Sequence, residues 1–147
     1  AFNFLFYTQL ANSKDETLSA LAAKSLKEVK YHLRHTSNWL IRLGDGTEES
    51  NTKVQESLEE IWQYTAELFE MDEIDTELLN KGIAVDNTSL QNDWNILVNN
   101  TLAKAKLTRP TDAYMATGGK KGLHTEYLGF ILAEMQFLQR AYPDARW

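Results

Sequence analysis

The sequence predicts an all-α protein, an antiparallel helical bundle, and three observations point to the bundle. Helix formers are abundant, whereas the 147 residues hold only two prolines and seven glycines, so few positions break a helix. Apolar residues recur at helical spacing through several long stretches. Gly44-Asp45-Gly46, Pro110 and Pro143 stand where those stretches would end. The length predicts one domain over residues 1–147.

The first helix is expected over about residues 1 to 12, with Phe2, Leu5, Phe6, Gln9 and Leu10 on one broad face. The chain opens on this apolar run with no capping residue before it, whereas helices usually start on Ser, Thr, Asp or Asn. The chain thus reads as starting inside a helix, as expected of a fragment. Asn12, Ser13 and Asp15 supply caps for a second helix, about Glu16 to Leu43, which stops at Gly44-Asp45-Gly46. Thr47 then opens a third helix to about Met71, with Glu48 and Glu49 in the first turn, where the helix dipole favours them. Its core stripe reads Val54, Leu58, Ile61, Thr65 and Leu68.

A short turn or helix is expected around Thr76 to Lys81, ended by Gly82. Thr88-Ser89-Leu90-Gln91 fits a capping box, with Asp86 as the alternative cap. The helix it opens runs to about Leu107 and carries Leu90, Trp94, Leu97, Thr101 and Ala105. A connection over 108 to 123 contains Gly118-Gly119-Lys120-Lys121-Gly122. The last helix, about Thr125 to Ala141, turns Leu128, Ile131, Leu132, Met135 and Leu138 inward.

Composition narrows the function. The net charge of −6 argues against nucleic acid or an anionic membrane surface as the partner. No apolar run approaches the roughly 20 residues of a membrane span, and no secretory leader pattern is present. Cysteine is absent, which excludes disulfides, thiolate catalysis and cysteine-ligated metal. A cytoplasmic location is the expectation.

The middle of the second helix holds the most informative residues. On a wheel its apolar centre is marked by Leu18, Ala22, Val29 and Leu40; His32 falls about 60° from Val29, with Glu28 and His35 at the edge. Carboxylate-bridged di-iron bundles use Glu-x-x-His on two helices, the three-residue step setting both ligands on one inward face. Here Tyr31 stands three after Glu28, and the histidine comes one position late. In the last helix Glu126 is followed at that step by Gly129, and Glu134 by Phe137. Glu28, Tyr31, His32 and His35 are therefore expected to form a vestigial, metal-site-like polar core, buried and hydrogen-bonded or ion-paired, with no metal and no catalytic residue. A role at the surface or at an interface with another subunit, and a working metal site, are the alternatives.

KEVKYHLRHTSNWLIRLGDGTEES, IWQYTAELFEMDEID, GIAVD and TGGKKGLHTEYLGFILAEMQFLQRAYPDARW together resemble the C-subunit family of bacterial 1,2-phenylacetyl-CoA epoxidases, the phenylacetate-CoA oxygenases. The likeness runs in order over essentially the whole chain and implies that the family's N-terminal helices are absent here. It implies a ferritin-like bundle in a multicomponent oxygenase, a monooxygenase of which this chain is a subunit without being the catalytic one. The di-iron centre belongs to the partner A subunit, which epoxidises the aromatic ring of phenylacetyl-CoA, and no cofactor is expected in this chain. The C-type subunit has lost its metal ligands and supports the catalytic one, which Tyr31 and Gly129 fit. A rival reading is a catalytic di-iron subunit whose other ligands lie in the missing segment. Another is a stand-alone ferritin-like binding protein.

Three further features carry alternatives. The Gly118–Gly122 loop fails the P-loop pattern; its glycines and lysines suit either a solvated loop or a phosphate, so Lys120 and Lys121 are candidates for contact with the partner subunit or a CoA thioester at a shared interface. Residues 45 to 80 hold twelve acids against Lys53 alone, a solvated face of which part could meet a basic partner surface. Core packing explains Trp39, Trp62 and Trp94, whereas Trp147 is the better candidate for an interface anchor.

Overall fold

A computed structural model describes residues 1–146; Trp147, and with it the expected interface anchor, lies outside the described residues. Among the described residues all regular structure is helical, as the sequence predicts: α1 (Phe2–Leu10), α2 (Glu16–Gly44), α3 (Glu48–Trp62), α4 (Glu73–Asn80), α5 (Gln91–Lys104) and α6 (Tyr127–Ala141), with short 3-10 turns between them. The chain divides into two compact units, Ala1–Ala116 and Thr117–Trp147.

In the first unit α2 packs against α1, α3 and α5. Asp15 caps α2 by accepting the Leu18 N–H at 2.9 Å. Its neighbour Ser13 donates to the Ile83 carbonyl at 2.7 Å, tying the α1–α2 turn to the chain after α4. Thr47 and Ser50 close a capping box at the start of α3, and the Ser50 hydroxyl also donates to the Leu43 carbonyl at 2.6 Å.

Helix α3 ends at Trp62, nine residues before the predicted Met71. The Thr65 hydroxyl donates back to the Trp62 carbonyl at 2.8 Å, and a 3-10 turn over Ala66–Phe69 follows. Such a side-chain bond offers the backbone an alternative to the helix. The break swings Trp62 and Phe69 inward onto Trp94, with ring centroids 5.7 and 5.4 Å away. Ile61 and Leu68 of the predicted stripe are consequently exposed, while Val54 and Leu58 are half-buried.

Helix α4 starts at Glu73, not near Thr76, because Asp72 and Asp75 form a reciprocal capping box. It closes on Gly82, whose φ of 73° belongs to the left-handed region, with the Ile83 N–H reaching the Leu78 carbonyl at 2.9 Å. Before α5 the alternative cap prevails. Asp86 accepts the Thr88 and Ser89 N–H groups and opens a 3-10 turn, so the regular helix begins only at Gln91. Leu90, Trp94, Leu102 and Ala105 are buried, joining Trp62, Phe69, Val85 and Leu107 in one core.

The connection after α5 is held to α3. Trp62 Nε1–H donates to Asp112 at 2.7 Å, the Arg109 guanidinium lies 4.8 Å over the Trp62 ring, and Gln55 exchanges hydrogen bonds with Thr108. In the second unit Gly118 and Gly122, at φ of 95° and 84°, bracket a 3-10 turn over Gly119–Lys121. Helix α6 follows. Of its predicted inward residues only Leu128 is half-buried, and Ile131, Leu132, Met135 and Leu138 are exposed.

Candidate functional site

Glu28, Tyr31, His32 and His35 are all exposed. The expected buried polar core is thus not what these residues form among the described residues. They make an aromatic stripe instead. Tyr31 and His35, one turn apart, stack with centroids 5.8 Å apart and planes at 22°. His35 meets Trp39 edge-on at 6.4 Å, and Tyr31 meets His32 at 6.1 Å. Arg34 and Arg42 each lie 5.7 Å over a ring of the stripe, Tyr31 and Trp39 respectively. Trp39 is therefore half exposed and not a core tryptophan, whereas Trp62 and Trp94 are buried as expected. The four-residue step of Tyr31, His35 and Trp39, with Arg34 and Arg42 three residues after a ring, carried this signal in the sequence.

Among the described residues no three histidine or carboxylate side chains gather closely enough to hold one metal ion. Glu28 and His32 share a side of α2, but the four-residue step leaves Tyr31 in the position a di-iron helix gives to its histidine. The corresponding positions on α6 are Gly129 and Phe137, neither of which offers a ligand atom. The described residues of this chain do not fit a di-iron centre.

On another side of α2 the first unit has an open groove of about 580 Å³. Leu33, Leu40, Ile61, Trp62 and Leu97 line it, and Lys30 and Arg34 bring the charge. His32 borders a smaller hollow of about 310 Å³ with Val29 and Thr36. Sequence reasoning gave no sign of this groove, since a wheel shows which face is apolar but not whether a neighbour fills it.

Lys120 and Lys121 lie in the second unit, exposed on the turn between Gly118 and Gly122. Much of the acidic run is solvated as expected: Glu48, Glu49, Glu56, Glu59 and Glu60 are exposed, with Glu49 paired to Lys53 at 2.6 Å. No helix among the described residues is long and apolar enough to cross a membrane.

A family profile described as phenylacetic acid catabolic protein matches residues 1–147. The chain is 47% identical to the C subunit of the 1,2-phenylacetyl-CoA epoxidase of Escherichia coli (strain K12). That similarity covers 100% of this chain and 59% of the relative, so the chain spans less than two thirds of the protein it matches. The residue blocks that suggested the resemblance and the all-helical structure agree with these matches, and the chain belongs to the phenylacetic acid catabolic protein family.

Proposed function

We propose that this chain is a non-catalytic, structural subunit of a multicomponent phenylacetyl-CoA epoxidase, pairing with and supporting the di-iron catalytic A subunit in aerobic phenylacetate catabolism in the cytoplasm. The observation that carries this reading is the missing ligand step: Tyr31 follows Glu28, and Gly129 follows Glu126, where a di-iron bundle needs histidine. Its likeness to the C subunit of an epoxidase supports the same role. In this reading the A subunit supplies the metal chemistry, and this chain supplies surface and rigidity. Lys120 and Lys121 are the residues we place against that partner or the phosphates of a CoA thioester, because their turn presents two cations side by side.

The test uses the full-length protein. It should copurify with the catalytic A subunit and carry no stoichiometric iron when purified alone. About two irons per chain would establish the rival, a catalytic subunit whose other ligands lie outside residues 1–147. Failure to associate with any A subunit would leave a stand-alone binding protein.

A further inference from the structure

The turn between α2 and α3 holds the single Asp-Gly dipeptide of the chain, Asp45-Gly46. In such a pair the glycine amide, with no side chain beside it, can attack the aspartate carboxyl and close a five-membered imide. Both residues are exposed, and among the described residues no backbone hydrogen bond of the turn engages the Gly46 N–H. The fold also fixes the glycine. A Cβ added to Gly46 would stand 2.7 Å from the Arg42 carbonyl oxygen and 3.0 Å from the Ser50 hydroxyl.

Asp45 lies at φ −93° and ψ 13°. By the tetrahedral geometry of Cα this sets the Gly46 nitrogen away from Cβ, so ψ must turn through more than a right angle before the ring can close. The closed turn is thus unreactive, and reaction waits on its opening. The Asp45 N–H donates to the Ile41 carbonyl at 2.9 Å, which holds the backbone. Lys106 holds the carboxylate itself, through an ion pair with Asp45 Oδ1.

Lys106 is unusual in its own conformation. It follows the Ala105 cap of α5 at φ 54°, the one non-glycine residue with positive φ among the described residues. Its N–H and that of Leu107 reach the Ala103 and Leu102 carbonyls at 3.2 and 3.0 Å, a helix end that glycine ordinarily closes. A lysine there bears strain that glycine would not. Stability does not explain the choice, because the side chains of the Lys106–Asp45 pair are 72% and 45% exposed, and such pairs contribute little.

We propose that Asp45-Gly46 is a site of spontaneous isoaspartate formation and that Lys106 is the latch that slows it. The Gly46 nitrogen bonds to Asp45 Cγ as a Cγ–O bond breaks, and that oxygen leaves as water, taking the amide proton and the carboxyl proton. Water then adds to the Asp45 main-chain carbonyl carbon, the bond from that carbon to the Gly46 nitrogen breaks, and the chain continues through Cγ. No oxidant or cofactor enters, and the mass returns to its starting value. The added main-chain methylene falls between buried Gly44 and the seat of Gly46 against Arg42, so the turn loses its fit.

Prolonged incubation of the full-length protein near neutral pH, followed by peptide mapping with electron-transfer fragmentation, tests it. Isoaspartate should appear at position 45 ahead of every other aspartate. Lys106→Gly removes the cation and relieves the left-handed strain, so it should speed isomerisation severalfold without lowering Tm. Lys106→Arg keeps the cation and should stay near the wild-type rate. Equal rates in wild type and Lys106→Gly overturn the latch, as does an equal acceleration in both variants. A faster rate accompanied by a lowered Tm traces the effect to unfolding and overturns the latch as well. Another aspartate reacting first overturns the site. So does the absence of isoaspartate from position 45 of Lys106→Gly, over a period in which the isolated 43–50 peptide largely converts.

Discussion

A Cβ added to Gly44 would stand 2.3 Å from the carbonyl oxygen of Ala105. The end of α2 and the end of α5 therefore meet backbone to backbone, both residues being buried. Asn51 stitches the junction by donating to the Gly44 carbonyl at 2.6 Å and the Lys106 carbonyl at 3.3 Å. Gly44→Ala should cost about 1–3 kcal/mol, since neither backbone can yield as a flexible side chain would. Thermal unfolding should show a Tm lower by several degrees, and an unchanged Tm would contradict this close approach.

The pairing of Trp62 with Asp112 gives a second expectation. The indole is buried and its N–H has Asp112 as acceptor at 2.7 Å. Asp112→Ala leaves that N–H unsatisfied and should destabilise by about 1–3 kcal/mol. Asp112→Asn keeps an acceptor oxygen and should lose less than half as much. Denaturant titration separates the two variants; equal losses would show that the charge, not the hydrogen bond, matters.

Asp86 makes stability depend on pH at the acid end. The Thr88 hydroxyl, at 2.6 Å, together with the Ser89 and Thr88 N–H groups, holds its carboxyl below the usual aspartate value. A depressed folded-state pKa contributes stability above the unfolded value, near 3.9, and loses it as pH falls through the lower folded value. Asp86→Asn should flatten this part of the acid limb below about pH 4, measured as Tm against pH. A wild-type acid limb in the variant would remove Asp86 from the account.

On the assembly reading, Lys120→Glu with Lys121→Glu should weaken association with the catalytic subunit, or affinity for CoA, by about tenfold or more. Both are exposed, so folding should be unaffected. Calorimetry on the full-length variant checks it, and unchanged affinity for both would withdraw these lysines.

Gly129 offers the opposite sign. It lies within α6 with nothing within 4 Å of an added Cβ. Gly129→Ala should stabilise by about 0.5–1 kcal/mol through helix propensity and a less flexible unfolded chain. A lower Tm would mean that this position is occupied by something absent from the described residues.

Local chemistry was the most legible part of this sequence. Asp15, Gly44 and Gly82 marked their helix ends correctly because a cap depends on a few neighbouring residues. The buried series Leu90, Trp94 and Ala105 was legible because one period governs one helix. The end of α3 was not, since apolar spacing continued past Trp62 and only the Thr65 hydroxyl competed with it. The exposure of Glu28 and His32 was not legible for another reason. Apolar patterning reports that a face is meant for contact, while its burial depends on a neighbour that the pattern does not contain.

Helix α6 presents Tyr127, Phe130, Ile131, Met135 and Phe137 to solvent over an arc of about 160°. Sequences of that kind are what chaperones and quality-control proteases grip. An unassembled chain is thus expected to be short-lived, and its abundance in a cell would follow the supply of whatever shields α6 rather than its own rate of synthesis.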